Sequence, residues 1–146
     1  MSDIFTKQKR SEIMSKISGK ETKPEILVRK FLFASGFRYR KNVKNLPGKP
    51  DIVLPKYKTV IFVNGCFWHG HNCPAGKLPE TRKKFWEEKI NGNIERDNKN
   101  KSVLKKEGWR VITIWQCKLK NKELRKKVLS KAIKTLRRNL KDISMI

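Results

Sequence analysis

The stretch Gly65-Cys66-Phe67-Trp68-His69-Gly70-His71-Asn72-Cys73-Pro74 gathers two of the chain's three cysteines and both of its histidines. It follows neither the period of a strand nor that of a helix, and its glycines and proline favour turns. So irregular a segment carries little apolar material and needs a tie to hold one shape. The third cysteine, Cys117, follows the β-branched and aromatic run Arg110–Trp115. Three thiolates and one imidazole suit a tetrahedral zinc ion. Cys66, His71, Cys73 and Cys117 form such a set, which would pin the loop to a strand end. Composition alone leaves open whether His69 or His71 is the ligand. If four ligands suffice, the spare histidine, His69, can exchange a proton near neutral pH. The competing reading treats the cysteines as small buried hydrophobes, but their clustering favours a metal.

The segments around this loop predict an α/β domain with a mixed sheet flanked by helices. Ile13, Met14 and Ile17 share one face of a first helix over about 5–17. Thr22-Lys23-Pro24-Glu25 reads as a helix start, with Thr22 as cap and an acid where a capping box places one. Leu27, Val28, Phe31, Leu32 and Ala34 continue it to Gly36. Short strands are expected over 37–40, 51–54 and 59–63. A long helix is expected from Thr81 to about Lys106, then a central strand over 110–115. A closing basic helix over about 120–146 carries the apolar stripe Leu124, Val128, Ala132, Leu136 and Leu140.

Charge narrows the possible partners. Lysine and arginine number 37 against 13 acids, a formal net charge of +24. The excess runs through both halves of the chain, so it is no basic tail on a neutral domain. With 37% hydrophobic residues the chain holds too much apolar material for a disordered polycation. Such a field suits a polyanion, with nucleic acid first. The longest clean apolar run, Val60–Val63, falls far short of the roughly 18 residues a membrane span requires. No export signal is seen in MSDIFTKQKR, and an odd cysteine count argues against a disulfide framework. The expected setting is the cytoplasm.

Two carboxylates stand in unusual places. Asp51 opens a strand directly after Pro50, where a hard oxygen could hold Mg²⁺ for phosphodiester hydrolysis. Asp97 lies on the helical stripe Trp86, Ile90, Asn93, Asp97, Leu104, the side expected to face the sheet. A charge there needs a partner; an Asp97–His69 pair would supply one and orient the imidazole as a base, whereas a lysine would make it merely structural. Four tryptophans are many for this length. Trp109 and Trp115 are expected in the core, while Phe67, Trp68 and Trp86 could stack on bases or wedge between them.

The ordered blocks Leu46-Pro-Gly-Lys-Pro-Asp51, Val60 to Cys73, Phe85-Trp-Glu-Glu-Lys-Ile90, Glu95-Arg-Asp97 and Gly108-Trp-Arg-Val111 resemble the very-short-patch-repair (Vsr) endonucleases. The similarity runs from about Arg10 to Leu119. It implies a single restriction-endonuclease-like domain over 1–146 with a structural zinc. It also implies Mg²⁺-dependent nicking of one DNA strand, 5′ to the T of a T·G mismatch left by deamination of 5-methylcytosine. Asp51 and the main-chain carbonyl of Val63 would hold Mg²⁺. His69 would be the general base, supported by Asp97, and Glu25 would help hold the hydrated metal. Cys66, His71, Cys73 and Cys117 match the zinc ligands. Phe67, Trp68 and Trp86 match an aromatic wedge, and Met14 with Ile17, in a DNA-contacting helix over 1–20, matches a second wedge from the minor groove. Asn64 and Lys89 are expected to contact DNA. The protein would act as a monomer on double-stranded DNA, at the nucleoid of a bacterium, alongside a cytosine methyltransferase and mismatch-repair proteins.

Two positions depart from the family. Val63 stands where some members have Thr, which a backbone ligand tolerates, and Asn64 stands where some have His. Rival readings are a zinc-stapled nucleic-acid-binding module without catalysis, and a restriction-type nuclease for matched DNA. The first leaves Asp51, His69 and Asp97 together unexplained.

Overall fold

The computed structural model describes residues 22–41 and 43–144. Met14, Ile17 and the helix expected over 1–20 lie outside the described residues. The elements run α1 (Lys23–Ala34), β1 (Arg40–Lys41), β2 (Ile52–Leu54), β3 (Thr59–Asn64), α2 (Lys83–Lys106), β4 (Arg110–Trp115) and α3 (Lys122–Ser144). The strands form one mixed sheet in the order β1-β2-β3-β4. β1, β2 and β3 pair antiparallel, and β3 pairs parallel with β4 in the register Thr59↔Arg110 to Asn64↔Trp115. A parallel neighbour needs a crossover, and the loop with α2 provides it. This α/β arrangement is the restriction-endonuclease-like core that the resemblance implies.

The sheet is covered on both faces, as its alternation dictates. On one face Ile52, Leu54, Ile61 and Ile114 pack against Val28 and Leu32 of α1 and Leu129, Ala132 and Leu136 of α3. On the other, Val53, Val60 and Phe62 meet Leu104 of α2. The start of α1 is as read from the sequence: Thr22 caps it, its hydroxyl accepting from the Glu25 N–H at 3.4 Å.

Several expected boundaries shift. The strand expected over 37–40 is only Arg40–Lys41, because Phe37 turns inward into the core instead of alternating along an edge. α2 starts at Lys83, since Arg82 takes a left-handed conformation (φ 55°) with its guanidinium 4.4 Å from the Phe85 ring. Strand β4 is not central: among the described residues it lies at the sheet edge, and only Ile114 in it is fully buried. Its apolar residues serve two helix-covered faces and not two flanking strands. Trp109 and Trp115 are accordingly half-buried; Lys58 caps the Trp109 ring at 4.1 Å, and Trp115 stacks on His71 of the loop after β3. In α3, Leu124 is exposed, because steps of four residues rotate gradually around a helix of 3.6 residues per turn. The buried face is therefore carried by Leu129, Ala132 and Leu136.

Candidate active site and metal centre

Asp51 precedes β2, and the antiparallel register carries it alongside the end of β3. There its Oδ2 accepts the Val63 N–H at 2.7 Å. In an extended strand a residue's N–H and C=O address the same neighbour, so the Val63 carbonyl faces the same side. Glu25, from the first turn of α1, is buried with its carboxylate 3.6 Å from the Arg29 guanidinium one turn on. Burial pushes the Asp51 carboxyl up to about 6; the Val63 N–H opposes the rise, Glu25 adds to it, and His69 and Arg29 also oppose it. Glu25, Arg29, Asp51 and His69 thus share one electrostatic neighbourhood. Hard carboxylate oxygens, one of them reluctant to carry its charge, fit a hard divalent cation.

His69 reaches toward α2, where its Nδ1 lies 2.6 Å from Oδ2 of Asp97. Both side chains stay about a third exposed or less, open enough for a proton to pass to solvent or substrate. The loop is held on α2 by a second bond, from Asn93 Nδ2 to the Trp68 carbonyl at 2.8 Å. Gly70 permits this approach. It has φ 64°, and a Cβ there would lie 2.5 Å from Ile94 Cδ1 and 2.8 Å from Ile90 Cγ2. Asp97 therefore faces an imidazole, with Lys101 one turn further on; burial lowers the Lys101 pKa while Asp97 works against that.

Of the two histidines, only His71 lies beside the thiols. The ligand atoms of Cys66, His71, Cys73 and Cys117 all lie within 4.8 Å of one another, while His69 turns to Asp97. Cys117 comes from the turn Gln116–Leu119 directly after β4, so the parallel pairing of β3 with β4 brings it beside Cys66. His71 Nδ1 sits 3.6 Å from the Cys117 sulfur, and its ring stacks on Trp115 at 4.2 Å and 16°. Gly76 is required here too, since a Cβ would overlap the His71 carbonyl. Burial pushes the Cys66 thiol up to about 11. Burial is the largest single influence on the Cys73 thiol and raises it, but hydrogen bonds to His71, Cys66 and the Gly76 and Ala75 N–H groups together outweigh it and draw the thiol down to about 7. Three sulfurs and one nitrogen converging on a point could hold a soft or borderline divalent metal.

Phe67, Trp68 and Trp86 form an edge-to-face cluster with centroids 5.1 to 5.9 Å apart. Trp68 is 51% exposed. Phe85 joins at 5.2 Å from Trp86, a fourth ring beyond the three expected in the wedge. Arg29 is a site residue the sequence does not mark, since an i, i+4 partner of Glu25 looks the same in a surface ion pair. Lys89 is exposed on α2, as a DNA contact requires, whereas Asn64 is only 4% exposed at the end of β3. Its amide has little surface to offer DNA. Among the described residues no helix is long and apolar enough to cross a membrane.

Comparison with known proteins gives this arrangement its context. Residues 2–75 match the family model described as DNA mismatch endonuclease Vsr. The type II nicking enzyme V.NmeAIP of Neisseria meningitidis is 56% identical over 137 residues, covering 94% of this chain and 98% of its own. The type II nicking enzyme V.XorIIP of Xanthomonas oryzae is 45% identical over 82% of this chain and 88% of its own. The DNA mismatch endonuclease Vsr of Escherichia coli is 42% identical over 84% of this chain and 79% of its own. Fold and relatives together define a DNA endonuclease, a hydrolase of phosphodiester bonds. The chain belongs to the DNA mismatch endonuclease Vsr family.

Proposed function

We propose that the protein nicks one strand of duplex DNA on the 5′ side of the T in a T·G mismatch, with Mg²⁺ at Asp51 and the Val63 carbonyl and with Zn²⁺ at the thiol cluster. The observation that carries the reading is the His69–Asp97 pair at 2.6 Å, electrostatically coupled to a half-buried Asp51, in a chain of this family. Asp97 holds the proton of His69 on Nδ1 and leaves Nε2 as the acceptor. Nε2 takes the proton of the attacking water as that oxygen bonds to phosphorus and the linkage to the leaving sugar oxygen breaks. Asp51 and Glu25 place hard oxygens beside this step, and Arg29 fixes Glu25. Magnesium, when bound there, supplies charge stabilisation of the phosphate and a more acidic water.

Phe67, Trp68 and Trp86 supply the wedge. A mismatch stacks poorly, so parting the stack there costs less than in matched duplex, and the wedge turns that difference into selectivity. Met14 and Ile17 would serve the opposite groove. Three free thiols and the metal set suit the reducing cytoplasm, where a monomer would start repair after a cytosine methyltransferase's product has deaminated. The names of the relatives, nicking enzymes and a mismatch endonuclease, support cleavage of one strand.

The test is a nicking assay with Mg²⁺ on end-labelled duplexes differing only in T·G against T·A. Cleavage of the T-containing strand in the mismatch alone is expected. Equal cleavage of both would make the protein a restriction-type nuclease, and tight binding without cleavage a binding module.

A further inference from the structure

The inner face of α3 is accounted for by Leu129, Ala132 and Leu136, and its outer face is not. Lys127, Lys131, Lys134, Arg138 and Lys141 recur at steps of four, three, four and three residues, which keeps them on one line of a helix. All five are exposed, on the side turned away from the core. Among the described residues this line carries no acid beyond the first turn, where Glu123 sits, and Asp142 is engaged with Arg110 at 3.4 Å. A merely solvated helix face gains from alternating charges, since like charges three or four apart repel. Here the repulsion is left standing over about 21 Å of helix.

The five ridge residues stand apart from the site residues. The site is bordered by α1, with Glu25 and Arg29, and by α2, with Asp97, while α3 meets the sheet only through its inner face, on Ile52, Leu54 and Ile61, and turns the ridge outward. We propose that this ridge is a second, sequence-blind docking surface for the phosphate backbone of duplex DNA, outside the nicking site. Duplex DNA carries one negative charge per about 1.7 Å of axis, so a ridge of this length meets several phosphates at once. Its work is to hold the protein on matched duplex while the aromatic cluster samples base pairs. This goes beyond mismatch nicking and requires only that the substrate be duplex DNA.

The test compares three full-length proteins: wild type, a ridge variant with K127Q, K131Q, K134Q, R138Q and K141Q, and a control with K30Q, K44Q, K56Q, K105Q and K106Q at exposed positions off the ridge. Matched 40-base-pair duplex is titrated by fluorescence anisotropy from low to high salt. The ridge variant is expected to lose about 4 from the slope of log K against log salt and at least tenfold in affinity near physiological salt, the control far less. Replacing the four lysines by arginine should restore wild-type binding, which separates charge from folding. Saturated nicking of a short T·G duplex should stay unchanged in the ridge variant. Equal losses in ridge and control variants, an unaltered slope, or loss of binding to polyglutamate but not to DNA would overturn the proposal. Failure of wild type to discriminate T·G from T·A would strike the nicking reading and leave the slope comparison intact.

Discussion

His69 and Asp97, 28 residues apart in sequence, meet at 2.6 Å because a loop and a helix on the same side of the sheet are pressed together at Gly70. In the proposed reaction the carboxylate would fix the imidazole proton on Nδ1 and leave Nε2 for the attacking water. Asp97→Ala should lower kcat for nicking by about 10²- to 10⁴-fold, the range of a positioned general base. Mismatch affinity should stay near wild type, and single-turnover nicking beside a binding titration reads both. A loss of affinity with kcat intact would assign Asp97 to the DNA surface instead.

The Asp51 carboxyl, raised to about 6 from an ordinary 3.8, sets a pH dependence of stability. The metal-free native state holds this proton more tightly than the unfolded chain. The group therefore costs nothing below pH 3.8, costs progressively more up to about 6, and costs its full amount above. That amount is about 3 kcal/mol at most. Asp51→Asn keeps an acceptor for the Val63 N–H and removes the charge. It should melt higher than wild type at pH 7.5 without divalent metal, lose that advantage at pH 4, and fail to nick at any pH.

Cation binding at the same carboxylate should follow the same proton. Calorimetric titration of wild type with Mg²⁺ should show affinity holding above pH 6 and falling up to tenfold per unit below it, with proton release on binding. A pH-independent affinity would place the cation elsewhere.

Cys117→Ser removes the one thiol contributed from beyond α2. Zinc by elemental analysis should fall from one per chain toward none, and the melting temperature should drop with it, since such sites contribute folding free energy outright. Nicking should fall too, although Cys117 takes no part in the proposed proton transfer, because the loop it would anchor through the metal bears His69. Stoichiometric zinc in the variant would remove Cys117 from the ligand set.

Trp68 is exposed and its backbone, not its ring, is tied to Asn93. Trp68→Ala should therefore fold normally and weaken T·G binding by about 10- to 100-fold, the worth of one stacked base. The discrimination ratio between T·G and T·A duplexes should shrink in the same measurement.

What could be read without coordinates depended on how local the signal was. Rare residues in one loop mark the thiol and imidazole set, and stepping along a helix picks out Asp97 as an acid on an inward stripe. That His71 and not His69 lies beside the thiols is a matter of tertiary position, since the two are two residues apart and chemically alike. Arg29 is not legible in the sequence because its i, i+4 relation to Glu25 is the same in a surface pair; only its burial within electrostatic reach of Asp51 makes it part of the site. The edge position of β4 escaped because apolar residues on both faces report covering helices, and nothing in periodicity reports an empty flank.

Along Cys66–Cys73, anchors for a metal, flat rings and an imidazole succeed one another almost residue by residue, with Gly70 leaving no room against α2. A segment so densely assigned cannot absorb an insertion, deletion or drifting side chain without disturbing all three tasks. Descendants of this protein that acquire new sequence preferences should therefore differ in the flanking surfaces, and this octet should pass between them nearly unchanged.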